Sequence, residues 1–250
     1  MKKVRLTIPF LLMLSLTACA GRLGEADRNF ARGNRFLSDG LPQMAIQAYQ
    51  RSLSADPDQP EAWFNLGVAQ LGVGQPEAAA QAFQRTLQLK PSARAWHNLG
   101  YAELRADRPA EAAKALNRSV ELDPNQASAW NNLAVSYRRL GRFHLAEEAS
   151  QKALSLAPDD PQILNNLAWL YLVWNGAGPD RRKKALELAK KAETQSQGKD
   201  PRILATLAEA YFKNNDRESA IRSIERALLH EPKNRHFQNK LATYRGEKTN

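Results

Sequence analysis

Five prolines, Pro57, Pro91, Pro124, Pro158 and Pro232, stand 34, 33, 34 and 74 residues apart. They mark out one repeating unit of about 34 residues, a period that belongs to helical solenoids. In such folds a single unit cannot bury its apolar face, so stability comes from stacking one unit on the next. The period therefore predicts an all-α array and leaves a shaped surface, more than a catalytic pocket, as the instrument of function.

Aligned on those prolines, the chain shows Trp63-x-x-Leu66-Gly67, Trp96-x-x-Leu99-Gly100 and Trp130-x-x-Leu133-Ala134-x-x-Tyr137. Two further copies read Leu164-x-x-Leu167-Ala168-x-x-Tyr171 and Leu204-x-x-Leu207-Ala208-x-x-Tyr211. An alanine heads the second half of each unit: Ala45, Ala79, Ala112, Ala146, Ala185 and Ala220. This resembles the tetratricopeptide repeat (TPR) family, over about 210 of the 250 residues. The resemblance implies a right-handed α-solenoid superhelix of six helix–turn–helix repeats, at 26–59, 60–92, 93–126, 127–160, 161–200 and 201–234. A polar helix over about Arg235 to Arg245, within a capping segment 235–250, would cover the last exposed face.

Local signals agree with paired helices. Asp39-Gly40, Gly74-Gln75, Ala106-Asp107, Leu140-Gly141 and Asn215-Asp216 are residues that accept left-handed backbone angles at a helix end. Pro42, Pro76 and Pro109 then open second helices, where a missing amide hydrogen costs nothing. The consensus slot of Trp63, Trp96 and Trp130 predicts core packing for these rings. Two units depart from the pattern. The first has Asn29 and Arg32 in place of Trp and Leu, as suits an amino-terminal cap. The fifth carries about five extra residues in the turn Asn175 to Asp180, followed by the basic run Arg181 to Lys184, which reads as solvated surface.

The amino terminus carries a second message. Lys2, Lys3 and Arg5 precede an apolar stretch from Leu6 to Leu16, too short to span a bilayer and typical of a secretory signal. Leu16-Thr17-Ala18-Cys19 resembles a bacterial lipobox. That resemblance implies cleavage after residue 18 and acylation of Cys19, with residues 19–25 a short lipidated linker. Two or more acyl chains, palmitate among them, anchor stably where one does not. Ala20 in place of an aspartate favours the periplasmic face of the outer membrane. Such a linker reaches roughly 20 Å, so the repeats would work close to the membrane. Cys19 is the only cysteine, which leaves no disulfide. The mature chain holds 33 basic and 26 acidic residues, a net charge of +7. Export argues against nucleic acid as the partner of that charge, and favours anionic polymers, lipid headgroups or acidic protein surfaces.

No catalytic constellation is present. His97, His144, His230 and His236 are scattered without metal-ligand spacing, and no phosphate loop or serine elbow occurs. No cofactor or metal is expected. In the TPR family the first helix of each repeat lines the concave face, and its sixth position here reads Asn65, Asn98, Asn132 and Asn166. A column of amides can bond both the carbonyl and the N–H of an extended peptide; a similar ladder grips peptides in the TPR superhelix of the N-acetylglucosamine-adding glycosyltransferase. The same column also suits packing between repeats. Beside it fall Phe30, Phe64, His97, Tyr101, Trp169 and Phe212, with Arg94, Arg105, Arg138, Arg139, Arg202 and Lys213 between them. Aromatics and arginines dominate binding hot spots. Arg138, Arg139 and Arg142 could take a carboxylate or phosphate in fork geometry. The leading expectation is a membrane-anchored scaffold that holds a segment of another envelope protein, in plan like pilotin-like proteins of type IV pilus assembly. The alternative is a binder of anionic glycan, peptidoglycan or an exported polysaccharide. Oligomerisation through the terminal helices is a third reading without a specific signal.

Overall fold

The computed structural model describes residues 24–174 and 178–247; the expected signal segment, Cys19 and Asn175 to Ala177 lie outside them. Among the described residues there are thirteen helices and no strand. Helix α1 covers 24–38. It is followed by α2 (Pro42–Ala55), α3 (Pro60–Gly72), α4 (Pro76–Leu89), α5 (Ala93–Arg105) and α6 (Pro109–Leu122). Then come α7 (Ala127–Arg139), α8 (Phe143–Leu156), α9 (Pro161–Val173), α10 (Pro179–Gln195), α11 (Pro201–Lys213), α12 (Arg217–His230) and α13 (Arg235–Arg245). The chain divides into two compact units, Met1–Leu122 and Asp123–Asn250, just before the Asp123-Pro124 step. Within each unit every helix packs on the next, and in the second unit α9 also meets α7 and α11.

Five turns between paired helices close in the same way. Gly40, Gly74, Asp107, Gly141 and Asn215 adopt φ between 57° and 74°. The residue after each donates its N–H five residues back: Leu41 to Phe36, Gln75 to Gln70, Arg108 to Glu103, Arg142 to Tyr137 and Asp216 to Tyr211, at 2.8–3.0 Å. This Schellman closure satisfies carbonyls that the helix end leaves open. Repeats are joined differently. Asp56 accepts from the Asp58 N–H and the Gln59 amide, and Asp123 from the Asn125 N–H and the Gln126 amide, at 2.9–3.2 Å.

Trp63, Trp96 and Trp130 are half-buried, and Trp63 and Trp96 pack against the core as their slot predicts without being enclosed by it. The physical reason is visible at two of them. The Trp63 indole N–H reaches out to the Pro57 carbonyl at 2.8 Å, and that of Trp130 to the Pro124 carbonyl at 2.9 Å. Each indole thus ties its helix to the loop that precedes it, with the ring edge at the surface. Gln238 in α13 makes the same bond to the Pro232 carbonyl at 2.8 Å.

The six alanines that head the second helices, Ala45, Ala79, Ala112, Ala146, Ala185 and Ala220, are fully buried. Only a methyl fits there, because two helix backbones pass close by. The contact on the facing helix is tighter still. A Cβ added to Gly67 would stand 2.8 Å from the Phe83 ring, and one added to Gly100 2.4 Å from Leu116.

The extra residues of the fifth repeat go partly into helix. α10 has 17 residues where α8 and α12 have 14. Arg181 to Lys184 therefore lie on α10 and not in a loop. Arg182, Lys183 and Lys184 are exposed, but Arg181 is drawn inward. Its guanidinium pairs with Glu147 at 3.2 Å and lies 4.2 Å from the Trp174 ring, which stacks on Phe143 at 5.5 Å.

Gly67→Ala is expected to destabilise the protein by about 1–3 kcal/mol, since the added methyl must displace a packed ring. Urea denaturation measures it. Ala at Gly178, where no atom lies within 4 Å of an added Cβ, should cost far less.

Candidate functional site

The residues predicted to form a groove fall in both units, so each set is described within its own. In the first unit, the Asn65 amide donates to Asn34 Oδ1 at 2.9 Å, and the Tyr49 hydroxyl donates to the same oxygen at 2.8 Å. Burial pushes the Tyr49 hydroxyl up to about 12, against the opposing effect of Asn65. Asn98 donates instead to the Arg94 carbonyl of its own helix at 2.8 Å. Phe64 is only 8% exposed: it meets Phe83 edge-on at 5.4 Å, and the Arg94 guanidinium covers it at 4.3 Å. Phe64 is thus core, capped by Arg94, and not an open groove aromatic. Tyr101 remains exposed, with Arg105 one turn on bonding its hydroxyl at 3.1 Å. His97 lies deeper, and burial lowers its pKa.

In the second unit α7 and α9 each carry two consecutive asparagines, Asn131-Asn132 and Asn165-Asn166. The Asn166 amide donates to Asn131 Oδ1 at 3.1 Å. Asn165 is 8% exposed, and its Oδ1 is buried without a hydrogen-bond partner. Arg138 and Arg139 occupy the last turn of α7, where cations complement the helix dipole. Burial, and then the charge of Arg139, lower the Arg138 guanidinium's pKa. No carboxylate is paired with Arg138 among the described residues.

Trp169 and Phe212 are half-buried, each with a side chain of α13 beside it: Tyr244 packs on Phe212 at 4.7 Å, and Lys240 Nζ stands 5.7 Å from the Trp169 ring. Lys240 pairs with Glu209, which also accepts from the Tyr244 hydroxyl at 2.9 Å. This contact repeats the first unit's geometry. Asn65 and Asn34 are 31 residues apart, as are Lys240 and Glu209, so an ion pair stands where an amide pair stands earlier. Both joints link the sixth position of one helix to a residue 31 positions earlier, near the end of the first helix of the repeat before it. The asparagine column therefore spends part of its bonding capacity on holding repeats together. Sequence reasoning missed Asn131, Asn165 and Glu209; the doubled Asn-Asn in two successive repeats was the available signal.

Comparison with known proteins accords with this geometry. Residues 11–240 match the family model of the cilia and flagella-associated protein 70 C-terminal domain, a TPR domain. The chain belongs to that TPR family. No curated protein matches it. Among solved structures it is similar to the MamA protein, at 27% identity over 70% of this chain and 93% of that one, with a TM-score of 0.60. It is also similar to PilW, described as a widely conserved type IV pilus biogenesis factor: 19% identity, 86% of this chain, 98% of that one, TM-score 0.73. Pseudomonas aeruginosa PilF gives 21% identity, 89% and 99% coverage, and a TM-score of 0.69. The last two likenesses establish a shared fold. A TPR fold is a scaffold on which proteins of this family bind protein partners.

Glu209 supplies a pH test of the α13 contact. Burial alone would raise its carboxyl, but Lys240 and Tyr244 outweigh that and hold it below the usual carboxylate range. A depressed folded-state pKa stabilises above the unfolded value, and that gain is lost as pH falls through the folded value. Wild type should therefore exceed Glu209→Gln in stability at pH 7, with the difference shrinking below about pH 4. Urea titrations at pH 7 and pH 3 measure it.

Proposed function

We propose that this protein is a lipid-anchored TPR scaffold of a bacterial envelope, holding an extended, carboxylate-bearing segment of another envelope protein. One observation carries the reading. Arg138 is a half-buried guanidinium beside a second arginine, with no carboxylate of its own, so its desolvation goes uncompensated until an anion arrives. Asn165 supports it, since its buried carbonyl oxygen lacks the N–H that a peptide backbone carries. The neighbouring Asn131, Asn132 and Asn166 add amides able to bond a backbone of any sequence.

The anchor rests on the amino-terminal sequence: a basic start, an apolar run and Cys19 in a lipobox-like setting. Cys19 would hold the repeats at the periplasmic face of the outer membrane. The likeness to a pilus biogenesis factor makes pilus assembly one candidate process, alongside secretion and cell-wall complexes.

Two measurements test the proposal. A photoreactive residue at Asn132 should capture one dominant envelope protein in living cells. Arg138→Gln should cut that yield by about tenfold or more, the value of a charge-assisted hydrogen bond. An unchanged yield rejects the carboxylate contact; co-purifying anionic glycan without protein rejects the peptide reading altogether. For the anchor, Cys19→Ser should end palmitate labelling and move the protein from the membrane to the soluble fraction.

A further inference from the structure

The second-helix side of the first unit holds an open crevice of about 620 Å³, walled by α2 and α4 and floored by α3. Gln50 enters it from α2, and Gln81, Gln84 and Gln88 from α4, at a spacing that places all three on one helix face. These four amides are exposed. The single charged lining residue among the described residues is Arg85, and its guanidinium already donates to Gln88 Oε1 at 2.6 Å. At the floor, Gln70 is 8% exposed, and its Oε1 is buried with no hydrogen-bond partner. A buried carbonyl left unbonded is costly, and as an acceptor it lacks an N–H or O–H. The terminal torsion of a glutamine is broad, so a small turn presents this oxygen to the crevice.

We propose that this crevice binds a neutral N-acetylated sugar. Glutamine amides both donate and accept, matching hydroxyls, which do the same. The acetamido N–H is the donor that Gln70 lacks. Leu53, Leu66, Ala78 and Ala82 offer an apolar floor for the acetyl methyl and the C–H face of the ring. With Arg85 the only cation in the lining and that one exposed to solvent, a strongly anionic ligand finds little compensation here, whereas the amides suit neutral hydroxyls. An extended peptide would need separate pockets for alternate side chains, and the crevice is one trough. The corresponding crevice of the second unit, about 410 Å³, is lined by Leu154, Leu167 and Leu188 with Lys184, Glu187 and Lys191. Its single glutamine is Gln151. The amide set therefore belongs to the first unit's composition and is not a consequence of the repeat.

Calorimetric titration of the full chain with tri-N-acetylchitotriose, and with maltotriose as a sugar lacking the amide, tests the proposal. Tri-N-acetylchitotriose is expected to bind and maltotriose to bind about fivefold more weakly, the value of one neutral hydrogen bond at the floor. Gln70→Leu should lose a similar factor while the melting temperature holds or rises, because an unbonded buried amide is removed. Gln81→Ala with Gln84→Ala, both on the surface, should weaken binding without any effect on folding. Gln151→Ala should leave it intact. No binding of tri-N-acetylchitotriose, equal binding of maltotriose, or binding unchanged in the Gln70, Gln81 and Gln84 variants each overturns the proposal.

Discussion

The distance between the two helices of a repeat governs the rest of this structure. In the first three repeats it is set by a glycine that faces a large side chain sixteen residues on: Gly33 with Tyr49, Gly67 with Phe83, Gly100 with Leu116. A methyl group at any of these glycines would come within 2.4–2.8 Å of its partner. Later repeats place an alanine where the glycine stood: Ala134 stands sixteen residues before the small Ser150, and Ala208 sixteen before Ile224. In the fifth repeat the buried small residue is Ala189, twenty-one residues after Ala168, which accounts for the five extra residues. The same two places are filled with different side chains, each packed to exclude solvent, as close-packed interiors require.

With that spacing held, the outward residues of the first helices are brought close to those of the repeat before. The contact between residues 31 apart follows from it, and the side chains there decide what it does. Asn65 with Asn34 makes a neutral joint, and Lys240 with Glu209 a charged one. The charged version sits where a terminal helix must be held with only one neighbour behind it. Largely buried ion pairs owe their net effect to additional hydrogen bonds, and Tyr244 supplies one to Glu209. Helix α13 is therefore more than a polar lid. It takes the position of a first helix in a further repeat, with Gln238 standing in for the indole N–H and Phe237 and Tyr244 buried beneath it.

The two units spend the same scaffold differently. The first concentrates glutamines on its second-helix side and closes its groove aromatic Phe64 under Arg94. The second concentrates asparagines on α7 and α9, with arginines in the last turn of α7. In both, the most informative atoms are polar ones left without partners in a buried setting, Gln70 Oε1 and Asn165 Oδ1. Repeat folds tolerate such groups because each repeat's stability is largely its own and its neighbours'.

What the sequence determined by itself is the repeat: the proline period, the left-handed turn residues and the buried alanines were all legible, because backbone sterics and close packing act at fixed local spacing. The helical nature of 181–184 was not, since Pro179 could read as part of a turn as well as the start of α10. Nor was the half-burial of Trp63 and Trp130, whose N–H groups are drawn to carbonyls that only the folded loop presents. The burial of Phe64, the placing of α13 side chains beside Trp169 and Phe212, and the unpartnered state of Arg138 and Asn165 were decided by tertiary structure alone. Each depends on which side chain of a neighbouring repeat arrives at a given point. Periodicity specifies where a residue faces, but not what stands opposite it.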